Sequence, residues 1–190
     1  MPLAAIPAWN PRGVLPPVDL FDPVSANRSP YRVSLVDLLM RFGTSPERLA
    51  ILQGLLNFRA ALHQMGLVAG FQWLDGSFLE DVEVLDKRPP RDIDVVTFLQ
   101  TPTHFVPEAP HDVALDRPTA KAQFKVDSYL VELDLVPPAE LALVSAYWYS
   151  LWSHRRNQEW KGFLQVDLAP HEDCAAQDWL SVPPAAGEQP

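Results

Sequence analysis

The sequence predicts an α+β domain, a mixed β-sheet with helices packed on one side. Two observations lead there. Segments with helical spacing and segments rich in β-branched and aromatic residues follow one another in the order helix, helix, strand, strand, strand, helix, strand. A chain of 190 residues also suffices to bury roughly 70% of its unfolded surface around one core without disulfides or a structural metal. The expected organisation is a Pro-rich arm at 1–30, one domain at 31–170 and a tail at 171–190.

The segment Met1 to Pro30 carries seven prolines and no sustained helix or strand periodicity, so it reads as an extended arm, lying on the domain or loose in solvent. From Val33 to Phe42, Val33, Leu35, Val36, Leu38, Leu39 and Phe42 recur at helical spacing, and Gly43 stops the helix. A second helix has Ser45 as N-cap, Pro46 in its first position, Glu47 in its first turn and Gly66 past its end. Its apolar face is Leu49, Leu52, Leu55, Leu56 and Leu62. The pair could pass for a helix-turn-helix, but no cluster of Arg, Asn and Gln stands at the second helix's start to read bases. Strands are expected at Gly70 to Asp75, Ile93 to Leu99 and Gln123 to Leu135, each rich in Val, Phe, Tyr or Trp and bounded by Gly or Pro. Pro137-Pro138 opens a helix over Ala139 to Trp152, and Gly162 to Leu168 reads as the last strand.

Composition narrows the function. Fifteen Lys and Arg against 24 Asp and Glu leave a formal net charge of −9, which disfavours non-specific DNA binding yet allows a nucleotide held through a metal ion. No apolar run approaches the about 18 residues that span a bilayer, so no membrane partner is expected. One cysteine, Cys174, cannot close an intrachain disulfide, and Pro2, Pro7 and Pro11 interrupt the only apolar start. The expected compartment is a reducing cytoplasm.

Chemistry concentrates in Trp73-Leu74-Asp75-Gly76-Ser77 followed, after residues 78–91, by Asp92-Ile93-Asp94-Val95-Val96. Two aspartates two apart in a strand project from one face with Cβ atoms about 6–7 Å apart. Side-by-side carboxylates repel, and a divalent cation commonly offsets that cost. Mg²⁺ takes hard oxygen ligands, a few carboxylates together with substrate phosphates. A Gly directly after a strand lets backbone approach a ligand, and the Ser77 hydroxyl and neighbouring amides can bond phosphate oxygens. Taken singly, each motif also reads as an ordinary turn or a solvated strand charge.

Together, the order strand, Gly-Ser, spacer, Asp-x-Asp on a second strand resembles the signature of the DNA polymerase β-like nucleotidyltransferase superfamily. The resemblance implies a nucleotidyltransferase-like sheet and Mg²⁺ or Mn²⁺ held by Asp92, Asp94 and a third carboxylate on a neighbouring strand. It also implies that Gly76 and Ser77 contact an NTP's phosphates. The third carboxylate is assigned to Asp127, with Asp134, between Leu133 and Leu135, as the alternative. Arg28-Ser29-Pro30-Tyr31, Trp73 to Phe78, Asp92 to Val96, Tyr147-Trp148, Ser153-His154-Arg155-Arg156 and Trp160-Lys161-Gly162 look like a bacterial domain family of unknown function within that superfamily. The spacer departs from the superfamily's usual spacing by a few added residues, with Lys87, Arg88, Pro89 and Pro90 inserted before the aspartates.

Two basic groups are candidates for neutralising a triphosphate: Lys87, Arg88 and Arg91 before the acidic pair, and Arg155, Arg156 and Lys161 after the last long helix. Arg155-Arg156 could equally complement a helix C-terminus. Tyr147, Trp148, Tyr149 and Trp152 are expected to pack the core, with stacking on a base the alternative. The activity expected from the resemblance is transfer of a nucleoside monophosphate from an NTP to a hydroxyl of a protein, RNA or small molecule, with release of pyrophosphate. Its rival is a non-catalytic binding module on the same fold, such as an antitoxin-like or defence-associated partner protein.

Overall fold

The structure, a computed structural model, describes residues 3–107 and 112–181. Strands β1 (Tyr31–Arg32), β2 (Gly70–Asp75), β3 (Ile93–Leu99), β4 (Val126–Glu132) and β5 (Leu164–Asp167) form an open mixed sheet in the order β1-β5-β2-β3-β4. β2 runs antiparallel to both β3 and β5, whereas β3–β4 and β1–β5 are parallel pairs. A parallel pair needs a crossover connection. For β3–β4 it includes helices α4 (Asp112–Leu115) and α5 (Arg117–Phe124).

Alternation divides the strands between two faces. On one face Leu74, Ile93, Val95, Val126, Leu164 and Val166 are fully buried. Helix α2 (Pro46–Gln64) lies against it, with α5 and α7 (Asp173–Ser181) alongside and α1 (Leu35–Phe42) next to α7. Helix α2 starts where its cap signal places it: the Ser45 hydroxyl accepts from the Arg48 amide at 3.3 Å, an interaction worth about 1 kcal/mol. Its Arg59 is completely buried and uses every donor it has. The guanidinium holds Asp173 of α7 at 2.8 and 2.7 Å, Gln72 of β2 at 2.8 Å and the Asp167 carbonyl at 2.9 Å, with longer bonds to the carbonyls of Leu168 and Ala169. Helix, sheet and C-terminal segment are thus tied through one cation. Gly54 is required in α2 because an added Cβ would overlap the Phe124 carbonyl of α5.

The opposite face carries Phe71, Trp73, Val96, Phe98, Tyr129 and Val131, and helix α6 (Pro138–Trp152) covers part of it. Trp148 packs on Tyr129 with ring centroids 4.6 Å apart, and Tyr149 and Trp152 meet Phe163 at 5.7 and 5.9 Å. The chain is a mixed α+β fold, but its helices occupy both faces, so the expected one-sided arrangement is corrected. The reason lies in α6, a nearly uncharged helix whose aromatic residues need an apolar surface, which only the second face offers. Among the described residues no helix is long and apolar enough to cross a membrane.

Three further differences have local causes. The strand expected from Gln123 begins only at Val126, because Asp116 caps α5 through the Thr119 amide at 3.0 Å and Lys125 ends it in a left-handed conformation, φ 57°. The arm is not loose: Val14 and Leu15 are buried, the Trp9 indole donates to the Leu79 carbonyl at 2.7 Å, and the Gly162 amide donates to that of Leu15 at 2.7 Å. The tail contains α7, whose inward residues Ala176 and Trp179 form too sparse a stripe to announce a helix; residues 182–190 of the expected tail lie outside the described residues.

Candidate functional site

Asp75 of β2 pairs in register with Asp94 of β3, which pairs with Asp127 of β4. Directly paired residues share a sheet face with Cβ atoms about 4.5–5.5 Å apart. Three carboxylates therefore stand in a row at one end of the α6-bearing face. Asp92, two residues before Asp94, lies at the same end on that face by alternation. Like charges at this spacing destabilise a sheet, so their compensation defines the site.

Asp75 and Asp127 are each matched by cations. The buried Lys161 ammonium donates to both Asp75 oxygens at 2.7 and 2.8 Å and contacts Glu80 at 3.3 Å. Burial pushes the Asp75 carboxyl up to about 7 against the pull of Lys161. Arg117 of α5 donates to Asp127 through Nε and through Nη2, the latter at 3.1 Å, and Lys121 Nζ reaches Asp127 at 2.8 Å and Asp92 at 2.7 Å. Although burial acts to raise it, Arg117 and Lys121 hold the Asp127 carboxyl below the usual carboxylate range.

Asp94 differs. Among the described residues no hydrogen bond or ion pair reaches its carboxylate, and burial, with the charges of Asp92 and Asp127, raises it to about 6. It rests against Gly76, whose φ of 90° suits glycine and whose missing Cβ would overlap Asp94 Oδ2. The Gly76–Ser77 bend thus belongs to the same end of the sheet as the acidic row. Behind it a 3-10 turn, Ser77–Leu79, and the short helix α3 (Val82–Leu85) are clamped by fully buried Arg48, which donates to the carbonyls of Phe78 and Glu80 at 2.6 and 2.7 Å and pairs with Glu83.

The fold thus brings together Asp92, Asp94, Asp127 and Gly76-Ser77. Asp134 lies beyond β4, where it accepts from the Thr101 amide at 2.7 Å. The basic residues selected from sequence are placed otherwise. Lys161 is buried, its ammonium matched to Asp75 and Glu80. Arg155 is similarly engaged, pairing with Glu80 at 2.5 Å and Glu159 at 3.6 Å. Arg156 is exposed, and Lys87 and Arg91 line two hollows around the start of α2. Arg91 alternates with Asp92 and so faces away from the acidic row.

Sequence reasoning missed Asp75, Arg117 and Lys121. The Asp116 cap and the four-residue spacing of Arg117 and Lys121 are signals of a basic helical face that the sequence carries. As the side chains stand, no group of three or more His, Cys, Asp or Glu residues among those described is placed to hold a metal ion; Lys121 stands between Asp92 and Asp127. The donor set nevertheless suits a hard divalent cation, being all carboxylate oxygen with one unpartnered member.

An α+β domain with an acidic row and a glycine bend at one end of its sheet is thus the class of protein defined here. The chain belongs to a family of unknown function, DUF6932, which matches residues 7–167. Neither a curated protein nor a solved structure matches it.

Proposed function

We propose that this chain is a metal-dependent nucleotidyltransferase with a polymerase β-like arrangement, moving a nucleoside monophosphate from an NTP to an acceptor hydroxyl. The observation that carries the reading is the register of Asp94 against Asp127 beside Gly76, with the Asp94 carboxylate lacking any partner among the described residues. Asp92, Asp94 and Asp127 would hold Mg²⁺ or Mn²⁺, which supplies charge neutralisation at the transferring phosphate and lowers the pKa of a bound hydroxyl. Gly76 and Ser77 present backbone and hydroxyl to phosphate oxygens. Arg48 fixes the turn that carries them, and the Asp75–Lys161 pair anchors the strand end before it. In the transfer, the acceptor oxygen bonds to the α-phosphorus, the bond to the pyrophosphate oxygen breaks, and the hydroxyl proton leaves to solvent or a site carboxylate. The expected acceptor is a protein, RNA or small molecule. The test is transfer of label from a panel of α-³²P-NTPs by wild type and by Asp94→Ala, checked to be folded; undiminished transfer by Asp94→Ala would refute the mechanism.

A second reading is a non-catalytic binding module of the same fold, for instance an antitoxin-like or defence-associated partner protein. Two observations favour it: Arg117 and Lys121 already neutralise Asp127 and Asp92 without a metal, and α6 exposes Leu143, Tyr147 and Leu151 along one stripe. Calorimetry with Mg²⁺ and each NTP separates them, since heat of nucleotide binding is expected only from the enzyme.

A further inference from the structure

Arg117 and Lys121 stand one helical turn apart on α5, and both reach the acidic row. Their side chains are 50% and 46% exposed, in contrast to Lys161 at 7%, so they are anchored at their charged ends while their stems stay in solvent. Lys121 Nζ sits between carboxylates from two strand segments, 2.7 Å from Asp92 and 2.8 Å from Asp127. The Arg117 guanidinium lies over the Tyr129 ring, 4.4 Å from its centroid. An ammonium so placed is an internal cation at the position where the proposed divalent ion would take oxygen ligands, and the two cannot share it.

Charge makes the consequence directional. The carboxylates of Asp92, Asp94 and Asp127, when ionised, outnumber the cations of Arg117 and Lys121, so the metal-free cluster repels an anion. One divalent ion reverses the sign and releases two flexible basic side chains beside it. We infer that Arg117 and Lys121 form an exchange device: they hold the carboxylates until a divalent ion displaces them, and then take the phosphate chain of the substrate. This rests on the metal-dependent reading above and deepens it, assigning polyphosphate recognition to α5 in place of Arg155 and Lys161. It also sets an order in which metal loading precedes anion binding.

Two measurements on the full chain test it, with Lys121→Met, Arg117→Met and Lys121→Arg compared by thermal melting to confirm folding. The first is titration with Mn²⁺ alone at pH 8, reading the free-ion signal by electron paramagnetic resonance. Removal of the internal competitor should tighten Mn²⁺ binding by Lys121→Met about three- to tenfold, the scale of one or two partly exposed ion pairs. The second is calorimetry with tripolyphosphate, a base-free probe. Wild type should bind it only with Mg²⁺ present, and each Met variant should bind it about tenfold or more weakly. Lys121→Arg should retain the binding. Equal or weaker Mn²⁺ binding in Lys121→Met, tripolyphosphate binding that ignores the metal, or undiminished binding by the Met variants would overturn the exchange and leave the metal reading standing. No Mn²⁺ binding by wild type and Lys121→Met alike would overturn both.

Discussion

Replacing Lys161 with Met separates a structural brace from a substrate-binding residue. Lys161, Asp75 and Glu80 are 5%, 4% and 6% exposed, and the ammonium donates to both oxygens of Asp75. Glu80 keeps Arg155 after the substitution. Asp75 keeps only the Gly76 amide among the favourable groups around it. Stranding one member of a buried ion pair costs about 3–5 kcal/mol, and in a chain of this size each kcal/mol lowers Tm by about 2–4 °C, so a fall on the order of 10 °C is expected. The loss should depend on pH. Burial already raises Asp75 to about 7 in the wild type, and loss of the lysine raises it further. A carboxyl raised in the folded state binds a proton the unfolded chain lacks, so stability falls as pH rises from the unfolded value through the folded one. The deficit of Lys161→Met should therefore be greatest at pH 8.5 and shrink towards pH 5, and Asp75→Asn in the same chain should recover much of it. Urea unfolding followed by tryptophan fluorescence at both pH values reads this out. A variant as stable as wild type at pH 8.5 that has lost only nucleotide binding would refute the brace and restore Lys161 to the substrate.

Two further perturbations probe the row itself. Asp94 is raised to about 6, so in EDTA its ionised form subtracts stability as pH climbs from about 4 through 6; Asp94→Asn should make the metal-free protein more stable at pH 8, by on the order of 3 kcal/mol. Urea unfolding at pH 4.5 and 8 checks this, and a variant less stable at pH 8 contradicts it. Gly76→Ala places a Cβ onto Asp94 Oδ2 at a φ of 90°, which should lower stability by about 1–3 kcal/mol and reduce label transfer. Since the overlap is with the Asp94 carboxylate, adding Asp94→Ala should relieve part of the loss of stability; strictly additive effects of the two substitutions on stability would contradict that overlap.

The legible elements were those whose signals are local. β2 and β3 have the bounds read from their residues, and α2 starts at its Ser45–Pro46 signal. The grouping of Gly76-Ser77 with Asp92 and Asp94 was expected from the resemblance alone, because a spacer running over residues 78–91 is long enough for a parallel crossover as well as an antiparallel return. Helices α5 and α7 were not, since their apolar stripes are short and the Arg117–Lys121 face is polar. That Arg155 and Lys161 meet the carboxylates of Glu80 and Asp75 was not legible, because a basic residue looks the same in sequence whether it faces solvent or a buried carboxylate. The choice between Asp127 and Asp134 turns on strand register, which periodicity alone leaves open.

The sequence alone sets an acidic α+β chain with a glycine bend and an Asp-x-Asp pair at strand ends, because turn chemistry and alternation act over a few neighbouring residues. Only the tertiary structure decides that Asp75, Asp94 and Asp127 align across three strands, that Lys161 neutralises the first while Arg117 and Lys121 guard the last, and that Asp94 is left without a partner among the described residues. Those outcomes depend on pairing between residues far apart in the chain and on which side chains burial forces together. No local pattern encodes either.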